Sequence, residues 1–499
     1  MLYNSTQNAA EVVSSAQAIA QGISKDGGLF VPQEFPKYDE NTFKALLKTD
    51  YKGRAKKVFS DFLTDFTEEE INDCVEKAYT AQKFGGENPA PLAFCNLDDK
   101  ALNILELWHG PTCAFKDMAL QILPHLLTKS LKKTYDGKDA VILVATSGDT
   151  GKAALEGFKD VDHTKIIVFY PVNGVSPMQK HQMDSQEGQN VKVCAIEGNF
   201  DDAQTGVKTL FSDTELAQEL SDKGWFLSSA NSINWGRLLP QIVYYFSAYC
   251  DLLNSNGLKL GDAVDFAVPT GNFGDILACW YAKRMGLPVG KLICASNENN
   301  VLADFFKTGT YDRNRAFHTT ISPSMDILVS SNLERLLYSV CGDDKLVSEY
   351  MRRLSEKGSY TVSDAIFKVL SDNFVGGFCT DVDTKATIAE VYNEHGYLID
   401  THTAVAAEVY KKYVAETGDK KKTVIASTAS PYKFTRSVME AIDEKYASQS
   451  DFELVDELNK ISNVAIPQAI EDIRSAAVLH DTVCDKSEME QVVRKILAL

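Results

Sequence analysis

The chain has 499 residues, 44% hydrophobic and 24% charged, a globular composition too long for one hydrophobic core, which predicts two or three domains. A formal net charge of -18 repels nucleic acid and anionic membranes and excludes both as main partners, while local backbone dipoles leave small anionic ligands open. No apolar run reaches membrane-spanning length, and the ten cysteines stand singly without CxxC or a histidine at metal-ligand spacing, so reduced thiols and no metal site are expected.

In chain order, the opening MLYNSTQNAAEVVSS carries no basic residue and no apolar core, which argues against a secretory or transit segment and for a cytoplasmic chain. Residues 1–98 read as a helix-rich region with a short strand or loop, because AEVVSSAQAIAQGI and NTFKALLKTDYKGRAKKVFSDFL space their apolar residues as helices do. Residues 65–82 open with acids, as a helix first turn should. From Leu102 the pattern changes to β-rich runs alternating with amphipathic helices. The runs are 102–107, 140–145, 166–169, 191–196, 263–268, 292–295 and 423–427, and such alternation predicts an α/β fold of two open sheets with crossover helices. The expected division is a larger α/β domain from 99–135 with 235–499 and a smaller one from 136–234. Strand patterning lapses between 311 and 384, which reads as an insertion, and the last ~60 residues read as mainly helical.

In open sheets of this kind ligands sit at the carboxyl ends of strands, so the segments following the runs carry the chemistry. The first is HGPTCAFKD, 109–117. Phe115, Ala114, Met118, Ala119 and Leu120 surround Lys116, and partial desolvation lowers an amine's pKa and frees its lone pair to attack an aldehyde. TSGDTG, 146–151, exposes successive N–H groups at a helix start, where a carboxylate or phosphate can bind. It is not a nucleotide P-loop: Thr146 stands where the early glycine belongs, and Ala153 follows Lys152 where a hydroxyl should. TGNFGD, 270–275, is a second anion-binding turn, although a plain turn and cap would use the same residues. TASPYK, 428–433, ends the last strand with a hydroxyl that could meet a heterocycle nitrogen. SANSINWGR, 229–237, offers Asn231, Ser232, Asn234 and Arg237, and YPVNGVSPMQK, 170–180, offers Ser176 and Lys180, all suited to an anion. The remaining histidines, His402 among them, show no carboxylate partner at triad or metal spacing and are expected to be surface or core residues.

Together with ISKDGGLFVP at 23–32, these motifs in this order resemble the longer-chain threonine synthases, which are fold type II pyridoxal-phosphate enzymes. The resemblance covers most of the chain. It implies conversion of O-phospho-L-homoserine and water to L-threonine and phosphate, by γ-elimination and addition of water at the β carbon. Lys116 would hold pyridoxal 5'-phosphate and shuttle protons at the α and β carbons. Gly271, Asn272, Phe273, Gly274 and Asp275 match the cofactor-phosphate loop, and Thr428 matches the hydroxyl facing the pyridine nitrogen. Ser147, Gly148, Asp149 and Thr150 match the loop that meets the substrate carboxylate, although shorter-chain relatives carry Asn where this chain has Asp149. The donors of Asn231, Ser232, Arg237 and Lys180 suggest the substrate phosphate. Two other readings stand beside this one: a phospho-lyase on the same scaffold that releases 2-oxobutyrate, and a nucleotide-binding α/β protein without the cofactor. The motifs carry no signal of oligomeric state.

Overall fold

All seven sequence-predicted runs form strands, divided between two sheets. The computed structural model describes residues 1–95, 102–135, 138–146, 148–173, 175, 177–255, 257–462 and 464–499. The larger sheet has six strands in the order Phe374–Phe378, Val289–Ser296, Val264–Pro269, Thr423–Ser427, Leu102–Glu106 and Leu92–Cys95, all parallel except the last pair. The smaller sheet is parallel throughout, in the order Val483–Asp485, Val191–Glu197, Thr164–Pro171, Asp139–Ala145 and Trp225–Ser228. Both are covered by helices, which is why the strand interiors read as continuous apolar runs and not as an alternation. The 20-residue helix Trp235–Asn254, buried along nearly its whole length, packs on Gly274–Met285 and the N-terminal helix Tyr51–Phe62. No helix among the described residues is long and apolar enough to cross a membrane.

The structure corrects the sequence reading in three places. Within 1–98, Leu2–Ser5, Val12–Ser14 and Phe30–Pro32 form an antiparallel sheet. The stretch whose apolar spacing predicts one helix is split: Val12–Ser14 is strand, and the helix Ser15–Gln21 starts only at the Ser14–Gln17 capping box. Between 311 and 384 the strand pattern does not lapse altogether. Phe374–Phe378 is an edge strand of the larger sheet, disguised by Gly376 and Gly377, which weaken a strand's signature. Near the C-terminus, Val483–Asp485 adds a strand to the smaller sheet and the helix Met489–Leu497 packs into its core, so the division at 234/235 does not hold for this segment.

The two sheets meet where the turn Asp117–Leu120 crosses the helix Asp149–Phe158. A Cβ on Gly157 would stand 2.1 Å from the Leu120 carbonyl oxygen, so only glycine permits this approach. Gly157→Ala is expected to lower the unfolding free energy by about 1–3 kcal/mol through overpacking. Urea titration monitored by tryptophan fluorescence checks this, and a midpoint equal to that of the unsubstituted chain would show that the helices separate freely.

Candidate active site

Three adjacent strands of the larger sheet deliver the three motifs to one place. Val264–Pro269, Thr423–Ser427 and Leu102–Glu106 are consecutive in the sheet, so the TGNFGD turn, Thr428 and the Lys116 segment emerge side by side. The last two are stitched together, with Phe115 N donating to Thr428 O at 2.8 Å and Ser430 N to Cys113 O at 3.0 Å. Opposite them, Asp139–Ala145 is flanked by Trp225–Ser228 in the smaller sheet. The segments at 146–151 and 229–237 therefore also leave neighbouring strand ends.

At the meeting point Lys116 Nζ lies 3.1 Å from Ser324 Oγ and 3.5 Å from Asp149 Oδ2. Burial pushes the Lys116 amine below the ordinary lysine value; Asp149 opposes this, and the cations of Lys433 and Arg237 add to it. Asp149 is fixed from several sides. Oδ1 forms an ion pair with Lys433 Nζ at 3.0 Å and accepts from Gln179 Nε2 at 2.9 Å, and Oδ2 accepts from Ser324 Oγ at 2.9 Å. Burial alone would raise this carboxyl, but the lysines, Lys433 foremost, reverse the effect and hold it well below the usual carboxylate range.

The second motif turns sharply, with Phe273 at φ 65°, and opens the helix Gly274–Met285. Gly271 is pressed against the neighbouring chain segment: a Cβ there would meet Ser324 O at 2.5 Å. The turn is braced by Ser330 Oγ, which donates to Gly271 O at 2.8 Å, and by Asn332, whose N and Nδ2 both donate to Asn272 O at 3.1 Å. Arg237, in the first turn of Trp235–Asn254, is buried and donates from Nη1 to Ala230 O at 2.7 Å, while its Nε has no partner among the described residues. Burial lowers this guanidinium to about 10. An amide-lined turn at a helix start, a desolvated amine and a hydroxyl at Thr428 fit a phosphate-bearing aldehyde cofactor, and the spare donor of Arg237 fits a second anion beside it.

Some sequence-predicted residues stand elsewhere. Ser147 and Ser176 lie outside the described residues. Gly148 and Thr150 flank Asp149, but Thr146 Oγ1 takes the N–H groups of Gly148 and Gly151 at 3.0 and 2.9 Å, which leaves fewer free donors than the motif suggests. Asn231 and Ser232 sit on the segment that leads to Arg237, with Ser232 Oγ 3.4 Å from Ser331 Oγ. Lys180 does not join the cluster: it is exposed, donates to Tyr170 Oη at 2.9 Å and pairs with Asp184 at 3.2 Å. The preceding residue, Gln179, is the one that helix Pro177–Asp184 directs to Asp149. Asp275 does not serve the turn either, because its carboxyl accepts from the hydroxyls of Tyr244 and Tyr245 at 2.5 and 2.6 Å in the core. His402 does have a carboxylate partner, Asp400, at 2.8 Å.

Sequence reasoning missed Ser324, Lys433, Gln179, Asp400 and His402. Lys433 and Gln179 lie within the strand-end motifs, and Asp400 is a legible N-cap before the apolar spacing of Thr401–Thr417. Ser324 gave no signal, since it contacts Lys116 across 208 residues of chain.

Comparison with known proteins is consistent along the chain. Family models described as "Threonine synthase N terminus", "Pyridoxal-phosphate dependent enzyme" and "Threonine synthase, C-terminal" match residues 2–79, 84–429 and 403–483. Threonine synthase-like 1 of Homo sapiens is 41% identical over 446 residues, 87% of this chain, and the chain spans 59% of the length of that relative. Threonine synthase of Saccharomyces cerevisiae is 35% identical over 491 residues, 93% of each chain. Among solved structures, the pyridoxal-phosphate-bound threonine synthase of Brucella melitensis superposes with a TM-score of 0.87 at 36% identity, covering 99% of both chains. The yeast enzyme gives 0.88 at 32% identity, covering 100% of this chain and 99% of that one.

Burial raises the Asp275 carboxyl to about 6 despite the two tyrosine hydroxyls. An acid whose folded pKa is raised stabilises the fold below its unfolded pKa, and that contribution disappears as pH climbs through the folded value. Asp275 should therefore cost stability between pH about 4 and 6, by up to about 3 kcal/mol for a shift of this size. Asp275→Asn is expected to flatten that part of the stability profile, as read from urea unfolding at a series of pH values. An unchanged slope would place the titration elsewhere.

Proposed function

The chain belongs to the threonine synthase family of pyridoxal-phosphate-dependent enzymes, and from that premise we propose that it converts O-phospho-L-homoserine and water to L-threonine and phosphate. The observation that carries the reading is the largely buried Lys116 amine, on the segment stitched to Thr428, joined through Ser324 to the glycine turn and facing Arg237, whose Nε is unpartnered among the described residues. Bound pyridoxal phosphate would supply an electron sink for charge developing at the substrate carbons.

The protein's part follows from its own residues. Lys116 Nζ, whose charged form burial disfavours, would be the group that holds the cofactor and, when free of it, would take and return protons at the substrate's α and β carbons. Backbone amides from Gly271 to Gly274 would hold the cofactor phosphate, and the Thr428 hydroxyl would serve its ring. Thr150, with Ser147 by motif, would receive the substrate carboxylate; Gly148 only shapes the turn, because its N–H is taken by Thr146 Oγ1. Asp149 acts differently from its neighbours. Its carboxylate is occupied by Lys433, Gln179 and Ser324, so it sets the charge around Lys116 and does not bind an anion. Arg237, Asn231 and Ser232 hold the substrate phosphate, and Lys180 is not among them. Closure of the smaller sheet on the larger would exclude water until phosphate departs.

A phospho-lyase on the same scaffold would also release phosphate from this substrate, but with 2-oxobutyrate in place of threonine. Product analysis separates the two. Incubation with O-phospho-L-homoserine should release phosphate and L-threonine in equal amounts, and predominantly 2-oxobutyrate would replace the proposal with the phospho-lyase. Arg237→Ala should raise KM for the phosphorylated substrate by about tenfold or more while the cofactor stays bound. If cofactor affinity falls and KM does not move, Arg237 serves the cofactor phosphate.

A further inference from the structure

Ser324 lies in the short 3-10 turn Pro323–Met325, within the stretch that the sequence presents as an insertion, yet its hydroxyl is 3.1 Å from the reacting amine. The direction of each hydrogen bond is forced. The Asp149 carboxylate can only accept, so the single Ser324 Oγ proton points to Oδ2 at 2.9 Å. The oxygen then faces Lys116 Nζ with its lone pairs, as an acceptor for the ammonium form. Asp149 Oδ2 also faces Nζ, at the longer distance of 3.5 Å, while Oδ1 is held by Lys433 and Gln179, so the Ser324 oxygen is the nearer acceptor.

A second chain of contacts holds the turn itself. Ser324 N donates to His402 Nε2 at 3.2 Å. Nε2 can accept only if the imidazole proton is on Nδ1, and Asp400 Oδ2 accepts the hydrogen bond from that Nδ1–H at 2.8 Å. Asp400 is in turn fixed as the N-cap of Thr401–Thr417, accepting from His402 N at 2.9 Å, Thr403 N at 3.0 Å and the Thr403 hydroxyl. Asp400 and Thr403 are fully buried, and His402 nearly so. The Ser324 carbonyl presses on Gly271, so the turn is wedged between the glycine loop and the imidazole.

We propose that Ser324 is a further catalytic residue, whose hydroxyl holds and orients the Lys116 amine, and that His402 and Asp400 are positioning residues that fix Ser324. The inference rests on the reading of Lys116 as the cofactor-bearing lysine. A brace for the fold would need only the Ser324 backbone; among the described residues the hydroxyl hydrogen-bonds only with Lys116 and Asp149. The charged and titratable groups facing Lys116 are Asp149, Lys433 and Arg237, and those facing His402 are Asp400, Asp149 and Asp326.

Pulsed acylation of the cofactor-free protein across a pH series, with the Lys116 peptide quantified by mass spectrometry against exposed Lys368, reads the amine directly. Loss of an acceptor for the charged form should shift the Lys116 midpoint in Ser324→Ala down by about one pH unit, a tenfold change in the neutral fraction at a given pH. Ser324→Thr, which keeps the hydroxyl, should restore the original midpoint. His402→Phe, which fills the same space beside Phe434 but cannot accept from Ser324 N, should move it in the same direction by less. A midpoint unchanged or raised in Ser324→Ala, or a Ser324→Thr profile matching that of Ser324→Ala, overturns the proposal. Should Ser324→Ala fail to fold, the threonine and phenylalanine variants decide: Ser324→Thr must keep the original midpoint and His402→Phe must lower it. Added pyridoxal phosphate should protect Lys116 from acylation. Absence of protection would instead defeat the reading of Lys116 on which the inference rests.

Discussion

Lys116 and Lys433 approach a single buried carboxylate from the same side of the molecule, and Asp149 is what allows them to share that space. Lys433 stands 3.0 Å from Oδ1 and Lys116 3.5 Å from Oδ2. Without the carboxylate the two amines would face one another out of water, and removing one partner from a buried charge cluster costs about 3–5 kcal/mol. The carboxylate comes from the smaller sheet and both lysines from segments that follow strands of the larger one, so the same contact joins the two halves and sets the electrostatics of the Lys116 amine. Burial and the neighbouring cations lower the Lys116 amine; Asp149 restrains that shift. The result is an amine that deprotonates more readily than a surface lysine while remaining held in one place.

The rest of the site is arranged around this contact by sheet topology. Adjacent strand ends in the larger sheet bring the glycine turn, Thr428 and Lys116 together without long loops. Close approaches that only glycine allows, at Gly157 against Leu120 O and at Gly271 against Ser324 O, set how near the elements can come. The Asp400–His402 pair adds a rigid support from the start of a 17-residue helix, and through Ser324 it reaches the same amine.

Much of this was legible in the sequence, because strand interiors buried on both faces must be apolar and strand ends that bind anions must be small, hydroxyl-bearing or glycine-rich. The seven apolar runs and the turns after them carried that signal. What was illegible shares a physical cause. Strands of three to five residues, such as Val12–Ser14, Val483–Asp485 and the glycine-bearing Phe374–Phe378, are too short or too poor in β-branched residues to show a period. Ser324 and His402 act through contacts between segments far apart in the chain, which no local spacing encodes. Lys180 and Asp275 were misplaced for the opposite reason: each lies in a correct motif, but helix geometry turns its side chain to another face, toward Asp184 and the Tyr244–Tyr245 pair.

The most direct test of the central claim is chemical. Reduction of the pyridoxal-phosphate-loaded protein with borohydride, followed by peptide mapping, should place the whole of the pyridoxyl mass on the peptide containing Lys116 and leave Lys433 and Lys152 unmodified. Modification of another lysine, or none, would contradict the account.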